Sequence, residues 1–152
     1  MKSILVMNGP NLNMLGQREP GLYGHSTLAD VEQLCRDTGA KHDVTVECFQ
    51  SNHEGELIEA LHNAGRAVKA GKMIGVVFNA GAYTHTSIAL YDAIKAAEVP
   101  VIELHISNVH ARESFRHHSY LSPVAVGVIV GFGVQGYALA IEGLIVKRGA
   151  QS

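Results

Sequence analysis

With 152 residues, 47% of them hydrophobic and 17% charged, the chain is long enough to bury a core and is balanced like a globular protein, not a disordered one. Twelve Lys and Arg against fourteen Asp and Glu give a formal net charge of -2, which argues against an extended nucleic-acid footprint or a polybasic membrane surface. The opening MKSILVMNGPN has a single Lys and an apolar run that stops at Gly9-Pro10, too short for a secretory leader or a membrane span. These features predict a soluble, cytoplasmic chain forming one domain over residues 1–152.

Apolar runs alternate with amphipathic stretches along the whole length. Ile4 to Met7 reads as a buried strand. After a long loop, Ser26 or Thr27 is placed to cap a helix with Leu28, Val31, Leu34 and Cys35 on one face, ended by Gly39. Val44 to Phe49 is a second strand. Asn52 is placed to cap a helix that buries Leu57, Ile58, Leu61 and Ala64, with Glu54, Glu56 and Glu59 near its positive end. Met73 to Phe78 is a third strand, followed by a helix over Thr86 to Glu98. Val101 to Leu104 and Val124 to Val130 are the fourth and fifth strands, and a last helix runs from Val134 to Val146. Cys35 and Cys48 fall on a helix and a strand with no CxxC spacing, and read as reduced thiols.

Strands alternating with helices imply an α/β fold, a parallel sheet covered on both faces. At this size the natural arrangement is a flavodoxin-like, doubly wound five-stranded sheet in the order 2-1-3-4-5. Such sheets bind ligands beyond the carboxyl ends of their strands, near the switch point between strands 1 and 3. The polar residues to examine should therefore follow strands 1, 3 and 4.

The loop after strand 1 reads NGPNLNMLGQREPGLYGH, long enough to be functional or simply a surface excursion with a solvated Arg18 and a packed Tyr23. The loop after strand 3, NAGAYTHTS, offers the Asn79 carboxamide, the His85 imidazole and a helix N-terminus suited to anionic or hydroxylated ligands; capping by Thr84 or Thr86 is compatible with binding. The segment after strand 4 reads ELHISNVHARESFRHHS. Glu103 and His105, two apart on a strand, share a face, and a carboxylate beside an imidazole orients it and favours its protonated form, as a general acid requires. Arg112 and Arg116 lie four apart, on one side of any helical turn there.

His105, His110, His117 and His118 suggest a metal, but no cysteine joins them and neither HExxH nor CxxC occurs, so no metal or other cofactor is expected. Gly131 to Gly136 matches GxGxxG, yet no strand and no ribose-binding acid can follow it. Its glycines are read as a tight turn and a close helix packing.

Together the three segments NGPNLNMLGxREPxxYG, NAGAYTHTS and ELHISNxHAREsFRHHS resemble the signatures of the type II 3-dehydroquinate dehydratases, in order and spacing, over nearly the whole chain; the C-terminal IVGFGVQGY is also similar. The resemblance implies a lyase that converts 3-dehydroquinate to 3-dehydroshikimate in the shikimate pathway or in quinate breakdown, by non-covalent anti elimination through an enolate. By that resemblance Tyr23 is the base, Arg18 promotes its ionised form, Asn11 supports the enolate oxygen through a water, and His105 is the general acid with Glu103 as its partner. Asn79, Ile106 and Ser107 hold the substrate carboxylate, His85 and Arg116 its hydroxyls, and Arg112 adds a cation near the base. Asp92 reaches a neighbouring subunit's site in a homo-oligomer, a dodecamer of trimers. Ala80, where proline is also common, and an irregular stretch from Gly65 to Lys72 depart from the pattern.

The chemistry is self-consistent. A tyrosine with its ordinary pKa of about 10 is only about one-thousandth ionised at neutral pH, and each close arginine favours the phenolate by roughly one to three pKa units. A Schiff base to lysine is disfavoured because no lysine follows a strand on the site side. Two other functions fit the same layers less well. A flavin module wants a Ser/Thr/Gly-rich phosphate loop where NGPNLN stands, and a phospho-receiver wants an aspartate where Asn79 stands.

Overall fold

The structure, a computed structural model, describes residues 1–17, 21 and 24–151, with side chains as far as residue 149. Among these, β1 (Ser3–Asn8), β2 (Thr45–Gln50), β3 (Met73–Asn79), β4 (Val101–His105) and β5 (Gly127–Val130) form one sheet in the order β2-β1-β3-β4-β5. Every pairing is parallel. Between and after the strands run α1 (Leu28–Ala40), α2 (Glu54–Lys69), α3 (Ile88–Ala97) and α4 (Gln135–Gln151). This is the flavodoxin-like order expected from the alternation of elements. Among the described residues no helix is long and apolar enough to cross a membrane.

The period of two along each strand decides which layer each side chain joins. Ile4 and Val6 of β1, Val77 of β3 and Ile102 and Leu104 of β4 pack with Val31 and Cys35 of α1 and with Tyr137, Ile141 and Leu144 of α4. Their neighbours of opposite parity, Met7, Val76, Phe78 and Val101, pack with Leu57 and Leu61 of α2 and Leu90 and Ile94 of α3. Each fully buried Leu or Ile contributes about 1.5–3 kcal/mol, so the two layers together fix the sheet between helices on both faces. Both cysteines are free thiols, and burial pushes Cys35 up to about 12 and Cys48 up to about 11.

Local chemistry corrects several element boundaries. Thr27, not Ser26, caps α1: its Oγ1 accepts from the Asp30 amide while Asp30 Oδ2 accepts from the Thr27 amide, a reciprocal capping box. Gly39 does not end α1 but lies within it, and the helix continues to Ala40. His53, not Asn52, precedes α2; Ser51 Oγ takes the His53 amide, and the Asn52 side chain is used elsewhere. α3 is shorter than expected because Ser87, rather than Thr84 or Thr86, accepts from the Leu90 amide and starts it. Of the stretch from Gly65 to Lys72, residues 65–69 are regular, the last part of α2, and 70–72 form the turn before β3; a Cβ on Gly65 would stand 2.5 Å from the Ala97 carbonyl oxygen at the end of α3. The fifth strand is limited to four residues because Ser122–Val124, with Pro123 inside it, forms a 3-10 turn.

Candidate functional site

Beyond the carboxyl ends of β1, β3 and β4 lies a cavity of about 210 Å³, lined among others by Asn11, Asn79, His85, His105, Ile106, Ser107, Arg112 and Arg116. Pro10, Leu12, Leu15 and Val109 supply its apolar wall. It is thus where the switch point of the sheet places a ligand.

The deepest element is the pair at the end of β4. Strand alternation puts Glu103 and His105 on one face, and His105 Nε2 donates to Glu103 Oε2 at 2.6 Å. Glu103 is 2% and His105 5% exposed. The other carboxylate oxygen, Oε1, accepts from Ser119 Oγ at 2.9 Å and Ser122 Oγ at 2.6 Å. Burial alone would raise the Glu103 carboxyl, but the hydrogen bonds from His105, Ser122 and Ser119 outweigh it and hold the group below the usual carboxylate range. Glu103 is therefore ionised and acceptor-only, which fixes the proton of His105 on Nε2 and leaves Nδ1 as the ring atom for a ligand.

His85 comes from a 3-10 turn after β3 (Gly81–His85). Its Nδ1 donates to the His118 carbonyl at 2.7 Å, because a carbonyl can only accept. Its ring lies nearly parallel to that of His105, centroids 6.1 Å apart. Partial burial lowers its pKa, outweighing the His118 contact, so the imidazole is neutral at pH 7 with its Nε2 lone pair available. Tyr120 donates its amide to the Thr84 carbonyl and ties the same two loops together. Thr84 Oγ1 is buried and finds no hydrogen-bond partner among the described residues.

Asn79, the last residue of β3, is buried and holds both neighbours: its Oδ1 accepts from the Gly81 amide at 3.2 Å and its Nδ2 donates to Tyr137 Oη at 3.0 Å. Asn11 begins the first 3-10 turn with φ 70°, a left-handed conformation that only a few residue types tolerate. Asn52 stabilises it by accepting from the Asn11 amide at 3.0 Å, and Gln50 Nε2 donates both to Asn52 Oδ1 and to the Gly9 carbonyl.

Arg112 and Arg116 do not share one helix. They close two successive 3-10 stretches (Val109–Ala111 and Ser114–Arg116), yet both side chains reach the cavity wall. Arg112 donates to Ser107 Oγ at 3.3 Å and Arg116 Nε to Glu113 Oε2 at 2.6 Å. The turn after β5, with Gly131 at φ 90° and Gly133 at φ 64°, donates its amides to the His105 and Ile106 carbonyls; the GxGxxG segment thus acts as the tight turn expected of it. Among the described residues the amides of Ile106 and Ser107 donate to no backbone carbonyl outside the strand ladder, and both residues line the cavity.

Of the residues singled out in the sequence, the fold gathers Asn11, Asn79, His85, Glu103, His105, Ile106, Ser107, Arg112 and Arg116. Asp92 lies apart, exposed on α3. Tyr23 and Arg18 lie outside the described residues. Sequence reading missed Asn8, Tyr137, Asn52, Ser119 and Ser122, all of which hold site residues in place. Only Asn8 and Asn52 carried a signal, as carboxamides at the end of β1 and just past the end of β2. Among the described residues no group of three His, Cys, Asp or Glu side chains is disposed to hold a metal ion. Among the described residues no lysine lines the cavity; Lys2 and Lys147 sit around a separate depression with Pro100, at the opposite end of the strands.

Comparison with known proteins agrees with this fold. The family described as dehydroquinase class II matches residues 2–145. A 3-dehydroquinate dehydratase of Variovorax paradoxus is 71% identical over 145 residues, covering 95% of this chain and 99% of that protein. One from a Marinomonas species is 67% identical over 147 residues, covering 97% and 98%. The crystal structure of a type II dehydroquinase from Butyrivibrio crossotus superposes with a TM-score of 0.90 at 43% identity, covering 95% of this chain and 97% of that one. A match of this extent places the chain: it belongs to the class II dehydroquinase family.

Proposed function

We propose that this chain is a hydro-lyase that converts 3-dehydroquinate to 3-dehydroshikimate by anti elimination through an enolate, with Tyr23 as base and His105 as acid. Family membership supports the overall reaction. The observation that carries the mechanism is the buried Glu103–His105 pair, whose imidazole lines a cavity together with Asn11, Asn79, His85, Arg112 and Arg116 against an apolar wall. A proton donor, fixed cations and backbone amides together suit a hydroxylated carboxylate.

In the proposed sequence Tyr23, as a phenolate favoured by Arg18 and Arg112, takes the proton from the carbon next to the ketone. The C–H electron pair moves into the carbonyl, and Asn11 supports the enolate oxygen through a water. When the enolate collapses, the C–O bond to the β-hydroxyl breaks, and the departing oxygen takes a proton from His105 Nδ1 to leave as water. Glu103 stabilises the imidazolium before that transfer. The Ile106 and Ser107 amides and the Asn79 carboxamide hold the carboxylate, and His85 and Arg116 the ring hydroxyls. No metal or other cofactor takes part.

The same reading makes residues 1–152 one catalytic domain working in the cytoplasm, in the shikimate pathway or in quinate breakdown. It also makes the active form a dodecamer of trimers in which Asp92 completes a neighbouring site.

The test is ultraviolet absorbance of the conjugated enone formed from 3-dehydroquinate, repeated after borohydride treatment in the presence of substrate. The expected signal appears and survives borohydride. Loss of the signal to borohydride replaces the mechanism by a lysine adduct, and no signal from the folded protein overturns the activity. Tyr23→Phe should abolish turnover with substrate binding largely intact.

A further inference from the structure

The buried Tyr137 hydroxyl joins Asn79 to Asn8, and the polarity of this chain of groups is dictated from one end. The Gly81 backbone N–H can only donate, so the Asn79 atom facing it, at 3.2 Å, must be Oδ1. The Asn79 NH2 group then faces Tyr137, and the Tyr137 oxygen accepts from it at 3.0 Å. Tyr137 has one proton to give, and it goes to Asn8 Oδ1 at 2.5 Å. The reverse polarity would set the Asn79 NH2 against the Gly81 N–H, two donors face to face.

All three side chains are at most 4% exposed, and no solvent competes for these bonds. Burial also pushes the Tyr137 phenol well above its ordinary pKa, so it stays protonated and does not act as a base. Of the two Asn79 N–H bonds, one is consumed by Tyr137. The other is the donor this residue retains for a ligand in the cavity it lines.

We propose that Tyr137 is a positioning residue for substrate binding: its hydroxyl, polarised by Asn8, locks the Asn79 carboxamide in the orientation that keeps one N–H available to the substrate's anionic group. The proposal rests on the reading of Asn79 as a substrate-holding residue. Without the hydroxyl, the amide retains only the Gly81 contact and its free N–H is no longer aimed by two bonds.

Tyr137→Phe, Asn79→Ala and the double variant, assayed by steady-state turnover of 3-dehydroquinate, test it. Tyr137→Phe should raise KM about tenfold and leave kcat within about twofold, since the lost contact is held equally in ground and transition states. In the double variant the KM should match that of Asn79→Ala alone, because a tyrosine with no amide to aim has nothing left to contribute. A raised KM in Asn79→Ala with an unchanged KM in Tyr137→Phe, or additive effects in the double variant, overturns the positioning role and leaves the reaction in place. An unchanged KM in Asn79→Ala removes the substrate-holding role of Asn79 and this proposal with it. Should Tyr137→Phe fail to fold, Asn8→Ala gives the same decision. It frees the tyrosine proton to turn towards Asn79, so a raised KM supports the proposal and an unchanged one overturns it.

Discussion

Glu103 and His105 stand two residues apart on β4 and meet at 2.6 Å through Oε2, with both lone-pair directions of the other carboxylate oxygen, Oε1, filled by Ser119 and Ser122. A strand holds these two side chains on the same face whatever happens to the loops around them, so the acid is placed by the most rigid part of the molecule. The serines come from the segment between β4 and β5, so the turn chemistry of residues 119–122 also serves the site. The same Ser119 hydroxyl accepts from the Leu121 and Ser122 amides.

Because the folded state holds Glu103 ionised more strongly than the unfolded chain does, the group is linked to stability with a definite sign. Its contribution is complete above the unfolded carboxyl value of about 4.3 and is lost as pH falls through the lower folded value. Glu103→Gln, which keeps the shape but not the charge, should lack this acid loss. Urea midpoints of both proteins at pH 7, 5, 4 and 3 should converge only in the most acidic samples, and parallel curves down to pH 3 would refute the linkage. Glu103→Ala should cost about 3–5 kcal/mol, since it strands a buried imidazole and two hydroxyls. It should also lower kcat by about 10²–10⁴-fold, the usual range for a general acid.

His85 gives a second pH dependence, in binding instead of folding. Burial lowers its pKa below the usual histidine value, so the neutral ring, with Nδ1–H on the His118 carbonyl and an accepting Nε2, predominates from about pH 6.5 upwards. As pH falls through the lowered value the ring gains a proton and Nε2 ceases to accept. KM should therefore be flat above about pH 6.5 and rise on the acid side. His85→Gln should show a KM raised by about five- to tenfold, one hydrogen bond's worth, and no acid limb of this origin. Persistence of the same limb in the variant would assign it to another group.

Much of this was legible in the sequence because the relevant patterns are short-range. The alternation that buries Val77 towards α1 and α4, and Val76 towards α2 and α3, follows from a period of two, and the strand order follows from strand–helix alternation. The spacing of Glu103 and His105 likewise predicts their contact. The Tyr137–Asn79 bond spans 58 residues and the Tyr137–Asn8 bond 129, and no local pattern encodes either. Tyr137 presents itself in the sequence as one more apolar position on the last helix, which it also is. The misplaced caps have different causes: Asn52 gives up the role of cap to accept from the Asn11 amide, a tertiary contact, whereas Ser87 takes the Leu90 amide one residue beyond Thr86, a choice between neighbouring hydroxyls that composition alone does not decide.

Asn11 separates strain from chemistry. Its φ of 70° costs about 1 kcal/mol more for a residue with a Cβ than for glycine, and asparagine tolerates it better than alanine. Asn11→Gly should thus retain stability within about 0.5 kcal/mol, whereas Asn11→Ala should lose about 1 kcal/mol. Both remove the carboxamide, so both should lose activity to the same extent. Chemical denaturation together with kcat for the pair checks this; an Asn11→Gly variant with full activity would show that the backbone, not the side chain, is what the site requires.

Gly9 links the loops after β1 and β3, the two walls from which Asn11 and Asn79 reach the cavity. Its amide donates to the Asn79 carbonyl at 2.8 Å, and a Cβ placed on it would stand 2.5 Å from the Ala80 carbonyl oxygen and 2.8 Å from its carbon. Both obstacles are backbone, so a methyl group there can be accommodated only by moving one wall from the other. Gly136, at the start of α4, offers the contrast: its Cβ would meet Leu104 Cδ1 at 2.8 Å, the end of a side chain and not backbone. Gly9→Ala should therefore cost about 2–4 kcal/mol and raise KM, because the displaced wall carries binding groups. Gly136→Ala should cost less than about 1.5 kcal/mol with KM unchanged. Urea denaturation and substrate titration of the two variants side by side make the comparison. Equal costs, or a KM raised by Gly136→Ala alone, would mean that the spacing of the two walls is not what Gly9 preserves.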